Sequence, residues 1–266
     1  YSNMVRPKLN QSEVTEIHLK MFLGMLIQLD TKEQVMKTSG WFYITWVDEK
    51  LRWNPKDYGG IEEINVLQKD IWLPDFIATN SVRGHEFFGE DKVRIYINST
   101  GCAVWEPGFT STTACNMDVT MFPFDKQICT IRILPWMTST KEIRVKTLGL
   151  DLTRFLSPNY QFDIINSKSH LDEILFSGNP STTLQGIIFE LHLKRKALFY
   201  QLNVIAPIAV LSLLCSVSFL VPPESGEKLT VSVTILLSIT VFLGVVDENL
   251  PKTSRSISYF GKFFFL

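Results

Sequence analysis

The sequence predicts an extracellular all-β sandwich followed by an α-helical transmembrane domain, and three observations carry that expectation. Period-two alternation recurs in short segments through the first three quarters of the chain, with turn residues between them. The apolar residues, 45% of the 266, crowd into the last third, where runs of membrane length appear. Two cysteines, Cys115 and Cys129, bracket a short aromatic loop, which points to an oxidising compartment.

The first strand is read in EIHLKMFLGMLIQL, where Ile17, Leu19, Met21, Leu23, Met25, Ile27 and Leu29 fall on one side of the alternation and Glu16, His18 and Lys20 on the other. GWFYITWVD repeats the pattern with Trp41, Tyr43 and Thr45 opposing Phe42, Ile44 and Trp46, and VRIYI and ICTIRIL continue it. Asn54-Pro55, Tyr58-Gly59-Gly60, Gly101 and Gly178-Asn179-Pro180 are the predicted turns. Many short strands with turns between them predict one sandwich spanning residues 1–196. No internal repeat interrupts it.

The segment CNMDVTMFPFDKQIC encloses 13 residues, with Phe122, Pro123, Phe124 and Asp125 near its centre. It is short enough to close, and Cys115 and Cys129 are read as a disulfide. Sequons at Asn10 and Asn98 fit an extracellular address for the large domain. Cys102 and Cys215 are expected to be buried free thiols. With 4 histidines and no paired Cys or His at zinc spacing, no metal site and no cofactor are expected. A net charge of -1 without a basic stripe argues against a nucleic-acid partner. The opening YSNMVRPKLNQSE lacks the apolar centre of a signal peptide, so the chain reads as a mature or trimmed product.

The transmembrane domain is expected over residues 197–266. Its first helix is read at about 198–221, where Pro207 is tolerable among neighbouring helices, and it ends at Pro222-Pro223. A second, at about 227–247, places Glu227, Thr230, Thr234, Leu237, Val241 and Glu248 on one face. A helix facing lipid gains nothing from such hydroxyls, whereas a helix lining a water-filled pore needs a wettable stripe. The alternative is a bundle helix whose hydroxyls bond its neighbours. The short link VPPESGEK makes the two spans antiparallel, which leaves Lys194, Arg195 and Lys196 on the outer side, against the usual bias. Arg195 pairing with Glu33 or Asp125 would explain the exception, while Lys194 and Lys196 are expected to form a solvated collar.

Four stretches, the disulfide loop with its FPFD centre, WFYITWVDEKLRWNPKDYGGI, WLPD and GEKLTVSVTILLSITVFL, together resemble the Cys-loop pentameric ligand-gated ion channels, with the nicotinic acetylcholine receptor-like branch nearest. The resemblance covers nearly the whole chain. It implies a homo- or heteropentamer in the plasma membrane, multi-pass, with agonist sites between subunits and four membrane helices, of which the second lines the pore. YSNMVRP then corresponds to the exit of an amino-terminal helix, and 256–266 to the start of the third membrane helix. The chain is accordingly expected to be the ordered part of a longer subunit, or a truncated one.

The same resemblance puts Trp136 at the principal face of the agonist site and Trp41 at the complementary face, both suited to a cation held against π-faces. Taken alone, either tryptophan is equally well a core residue. Thr79 stands where nicotinic subunits carry a tyrosine, Phe176 and Leu184 replace two more, and Gly178-Asn179 replaces the vicinal cysteines. A small cationic or amphipathic agonist is expected, without high affinity for acetylcholine. Coupling to the pore is expected through Glu33, the Phe122 to Asp125 turn, Arg195, Leu250 and Pro251. The function expected is a neurotransmitter-gated channel permeant to monovalent cations and seated among membrane lipids. The alternatives are a membrane-tethered binding module without conduction and a channel gated by a non-nicotinic ligand. No enzyme is expected, since no nucleophile, base and oxyanion arrangement is visible.

Overall fold

A computed structural model describes residues 1–85, 87–153, 157–175, 182–220, 222 and 226–249, with the side chains of 243 and 245–249 excepted. Among the described residues eleven strands precede two long helices. Strands β1 (Thr15–Asp30), β2 (Val35–Val47), β3 (Glu63–Leu67), β5 (Arg94–Asn98), β6 (Cys102–Trp105), β7 (Gly108–Ala114) and β9 (Ile143–Asp151) form a seven-stranded sheet in the order β3-β5-β6-β2-β1-β9, with β7 also paired to β2. Strands β10 (Phe162–Leu175), β11 (Thr183–Arg195), β8 (Lys126–Pro135) and β4 (Phe76–Ala78) form the second sheet, in that order.

Side chains that alternate inward from both sheets meet in one core, in which Trp46, Trp105, Phe42, Phe76, Phe162 and Phe189 are buried. Each such side chain stabilises the fold by roughly 1.5 to 3 kcal/mol. Trp105 also has a polar edge, and its Nε1 donates to Gln68 Oε1 at 3.0 Å.

The expected alternation of β1 holds through Leu23 and then fails. Register shifts between Leu23 and Met25 and between Leu26 and Gln28 interrupt it, so Leu26 is buried while Met25 and Ile27 are exposed, and Leu29 returns to the core side as expected. The first shift sits where β2 carries Gly40, whose added Cβ would lie 2.1 Å from the Phe22 carbonyl oxygen. Gly101 closes the turn between β5 and β6 at φ 81°, a left-handed conformation that favours glycine, and an added Cβ would meet the Asp48 carbonyl at 2.2 Å.

Cys115 and Cys129 are joined with their Cα atoms 5.1 Å apart. Cys102 and Cys215 are free thiols, but neither is fully buried: Cys102 points to the outer side of β6, and Cys215 lies on an outward face of the first helix. Lys194 is exposed as expected, whereas Lys196 is no mere solvated collar, because its Nζ donates to the Asn159 carbonyl at 2.8 Å and pairs with Asp163 at 3.0 Å.

The first helix, Leu198–Leu220, is long and apolar enough to cross a bilayer. Pro207 has no N–H to give the preceding turn, and the helix widens to a π-turn at Gln201–Ile205 just before it. The second helix, Glu227–Asn249, has 23 residues and is about 34 Å long at 1.5 Å per residue, matching the apolar thickness of a membrane. Phe242 of the second helix packs on Val204 and Ile208 of the first.

Candidate functional site

Three regions hold the predicted site residues. At one end of the four-stranded sheet, β4 pairs with the end of β8 and brings the Trp72 to Asp75 segment against the loop that follows β8. Asp75 organises that loop. Its carbonyl accepts from the Trp136 N–H at 3.0 Å, Oδ2 from the Met137 N–H at 2.7 Å, and Oδ1 from the Thr138 hydroxyl at 2.8 Å. Trp136 is thereby held 38% exposed, with the His85 ring 4.2 Å away between centroids. Thr79 lies nearby on the same sheet, half-buried, its N–H donating to the Arg132 carbonyl at 2.9 Å. Leu184 follows Thr183, which the loop contacts through Thr140, but its side chain is buried in the sandwich and offers little surface to a ligand. Phe176, Gly178 and Asn179 lie outside the described residues.

Trp41 is on β2 of the other sheet, so one copy of the chain does not group it with Trp136 through any strand pairing. It stacks on Phe22, directly across on β1, with centroids 5.2 Å apart and planes 9° from parallel. Lys20 Nζ lies 4.7 Å from the Phe22 centroid and pairs with Asp151 at 2.8 Å. Hydrogen bonds from Lys20 and from Thr153 hold the Asp151 carboxyl well below the usual carboxylate range.

The second region joins the sandwich to the first helix. Arg195, at the end of β11, is 5% exposed, and Asp125 of the disulfide loop 1%. Arg195 Nε donates to Oδ1 at 2.7 Å and Nη2 to Oδ2 at 3.1 Å, a two-point pairing. Gln127 Nε2 donates to the same carboxylate at 2.6 Å. The guanidinium is 5.1 Å from the Phe122 ring, 4.5 Å from Phe162 and 5.7 Å from Tyr200. Tyr200, in the first turn of the helix, also meets Phe122 edge-on at 4.9 Å. The disulfide loop, β11 and the helix therefore share one buried charge pair.

Of the two acids expected for Arg195, Asp125 is the partner. Glu33 sits in the turn between β1 and β2, where Asp30 Oδ1 accepts from the backbone N–H groups of Lys32 and Glu33, both at 2.9 Å. Gln34 in that turn accepts from the Cys115 N–H at 2.8 Å, tying it to the disulfide. A cleft of about 510 Å³ lies between Asp30, Lys32, Asn159, Arg195 and Tyr200. Phe122 and Pro123 are buried, while Phe124 is exposed at the loop tip. Leu250 and Pro251 lie outside the described residues.

The third region is the second helix. Ile235 is buried, and Val231, Ser238, Ile239 and Phe242 beside it are half-buried. Glu227, Thr230, Thr234, Leu237 and Val241 are exposed, on a face about 120° around the helix from Ile235 at 100° per residue. The hydroxyls of Ser232, Thr234, Ser238 and Thr240 donate to carbonyls of their own helix, at 2.7 to 2.9 Å. Glu248 is within the helix, but its side chain is outside the described residues.

The sequons differ in setting. Asn10 is exposed and its Oδ1 accepts from Ser12; Asn98 is half-buried, its Oδ1 accepting from Thr100 and from the Cys102 N–H. His85, Asp75, Gln127 and Tyr200 were not singled out from sequence. WLPD marked one of these places, but only pairing across 61 or more residues shows what Asp75 holds.

Comparison with known proteins follows the same division. The family model described as the neurotransmitter-gated ion-channel ligand binding domain matches residues 1–197, and that described as the neurotransmitter-gated ion-channel transmembrane region matches 204–266. The chain is 33% identical over 267 residues to the neuronal acetylcholine receptor subunit beta-3 of Homo sapiens, covering 99% of this chain and 57% of that protein. It is 33% identical over 276 residues to the acetylcholine receptor subunit beta-like 2 of Drosophila melanogaster, covering 99% and 52%. To the acetylcholine receptor subunit alpha-like of Manduca sexta it is 34% identical over 274 residues, again 99% and 52%. The chain spans about half the length of the curated relatives it matches.

Proposed function

The chain belongs to the neurotransmitter-gated ion-channel family, and from that premise we propose that it is a subunit of a pentameric, plasma-membrane cation channel opened by a small cationic or amphipathic agonist. The observation that carries this reading is the split of two tryptophan positions between opposite sheets, Trp136 exposed after β8 and Trp41 half-buried on β2. A cation bound by aromatic faces needs more than one ring around it. Two copies placed side by side supply both faces, whereas one copy supplies either.

In this reading residues 1–196 form the ligand-binding domain outside the membrane and 197–266 the multi-pass membrane domain, with Asn10 and Asn98 as glycan acceptors. Agonist bound at Trp136, under the segment carrying Phe176 and beside Thr79 and Leu184, favours one arrangement of the sheets. The Arg195, Asp125 and Tyr200 cluster, with Glu33, Leu250 and Pro251, passes that preference to the helices. An agonist opens such a pore only through tighter binding to the open state. In the shut state Leu237 and Val241 of each copy narrow and dry the lumen, because an ion cannot shed its water against apolar walls.

The test is current recording from cells expressing the full-length subunit, with amines and amino acids applied in turn. We expect agonist-evoked current that Trp136→Ala removes, and raised sensitivity or spontaneous opening in Leu237→Thr. With Thr79, Leu184 and Gly178-Asn179 in place of two tyrosines and a cysteine pair, no sub-micromolar response to acetylcholine or nicotine is expected. A surface-expressed subunit that passes no current under any of these, or a Leu237→Thr variant that gates like the parent, refutes the reading.

A further inference from the structure

The segment that follows β4 is fastened at two places. Ser81 bridges to Thr113 and the Val82 N–H donates to the Thr112 carbonyl at 2.9 Å, while Phe87 bridges back to Ile77. Between these anchors the chain turns at Gly84, with φ 101°, and carries the exposed His85 onto Trp136. The imidazole and indole centroids are 4.2 Å apart and their planes 39° from parallel. Rings that meet edge to edge keep their centroids farther apart, so at this distance the imidazole lies over a face of the indole.

That face is the surface a cation would use. The attraction comes from the negative face of the π-system and acts within about 6 Å of the ring centroid, so a ring seated there keeps a ligand off it. The imidazole covers the face in either protonation state, and as an imidazolium it is itself a cation held there by its own chain. Neither partner relies on the stack for its place. Asp75 fixes the Trp136 loop, and Ser81, Val82 and Phe87 fix the segment carrying His85.

We propose that His85 is a specificity-determining residue of the agonist site, a tethered competitor that a cationic agonist has to displace from Trp136. The inference rests on the agonist reading of Trp136 and narrows the ligand class. A compact quaternary ammonium gains little by exchanging one ring contact for another. A bulkier amphipathic amine, with further contacts beyond the Trp136 face, offsets the loss of the stack. Its selectivity is therefore set by a residue that the ligand removes rather than by one that it keeps.

The test is saturation-transfer NMR titration of choline and of its uncharged isostere, 3,3-dimethylbutan-1-ol, against the purified full-length subunit in detergent. His85→Ala uncovers the face and should raise the preference for choline over the isostere about fivefold, the worth of one exposed cation–π contact. His85→Phe keeps a ring in place and should retain the parent's ratio. His85→Arg keeps a cation there and should lower it. Adding Trp136→Ala to His85→Ala should cancel the gain. A ratio unchanged in His85→Ala overturns the proposal, as does an equal tightening of both probes, which marks a loosened loop, or a gain that survives without Trp136. If His85→Ala does not fold, a His85→Arg protein with the parent's ratio, or a His85→Phe protein with a raised one, overturns it. The agonist reading is judged separately: agonist current that Trp136→Ala abolishes, together with an unchanged ratio in His85→Ala, sinks this inference alone.

Discussion

At the residue scale the most consequential contact is Arg195 with Asp125. Both groups are removed from water, so their pairing offsets a large desolvation cost and its net worth is small. Removing one partner is another matter. Arg195→Ala leaves an uncompensated buried carboxylate and should destabilise the chain by about 3 to 5 kcal/mol. Arg195→Lys keeps the charge but loses the planar two-point geometry and the stacking on Phe162 and Phe122, and should fall in between. Chemical denaturation of the three proteins in detergent gives the ranking, and a lysine variant as stable as the parent would show that only the charge matters. Asp75 offers a second test. Asp75→Ala removes the acceptors of Met137 and Thr138, freeing the loop that presents Trp136. Ligand affinity, read by Trp136 fluorescence quenching, should drop, while Asp75→Asn, which retains one acceptor oxygen, should drop less. Equal losses would mean that the loop is held by other contacts.

The elements show where a local pattern stops being informative. The core face of β2, Phe42, Ile44 and Trp46, follows directly from alternation, because the strand runs in register from Ile44 to Trp46 against both neighbours. In β1 the same rule mistakes Met25 and Ile27 for core and misses Leu26, because the register against β2 shifts at Gly24 and again at Ile27, which only the pairing shows. The two helices and the disulfide loop were legible because their length, composition and spacing are local. Trp136 and Trp41 were placed only by resemblance, and their supports, Asp75 and Phe22, needed the fold. The seam between β1 and β9 also came only from the fold. It is a parallel pairing at a sheet edge, and it carries two charge pairs, Lys20 with Asp151 and Lys146 with Glu16, each at 2.8 Å. Hydrogen bonds from the two lysines lower the pKa of both carboxyls relative to ordinary values. A carboxyl whose pKa is lower folded than unfolded adds stability that is complete above the unfolded value, about 4, and is lost as pH falls toward the folded one. Stability should therefore decline from about pH 5 downward. Asp151→Asn should flatten that decline, as measured by denaturation across the acid range; an unchanged slope would place the acid-sensitive contacts elsewhere in the fold.

For the whole molecule the question is what a ring of these chains would conduct, and the second helix bears on it through two independent features. Its buried face, centred on Ile235, turns the Thr230, Thr234, Leu237 and Val241 face about 120° away, so helices packed on their own subunits can still point that face at a common axis. The hydroxyl of Thr234, on that face, already donates to the Thr230 carbonyl of its own helix. Its remaining capacity is as an acceptor, so at that level the lumen would be lined by oxygen lone pairs rather than protons. Acceptors solvate cations. Glu227, exposed in the first turn of the helix, would add one carboxylate per subunit at the mouth, raising the local concentration of cations and repelling anions. Both features favour the same sign of charge, and they can be separated. In recordings with sodium, potassium and chloride varied in turn, the reversal potential should follow the monovalent cations. Glu227→Ala should lower conductance while leaving the preference for cations, because the lone-pair lining remains. Replacing Thr234 with Val as well should weaken the preference further. A reversal potential that follows chloride in the unaltered channel would show that neither the carboxylate ring nor the acceptor lining sets selectivity.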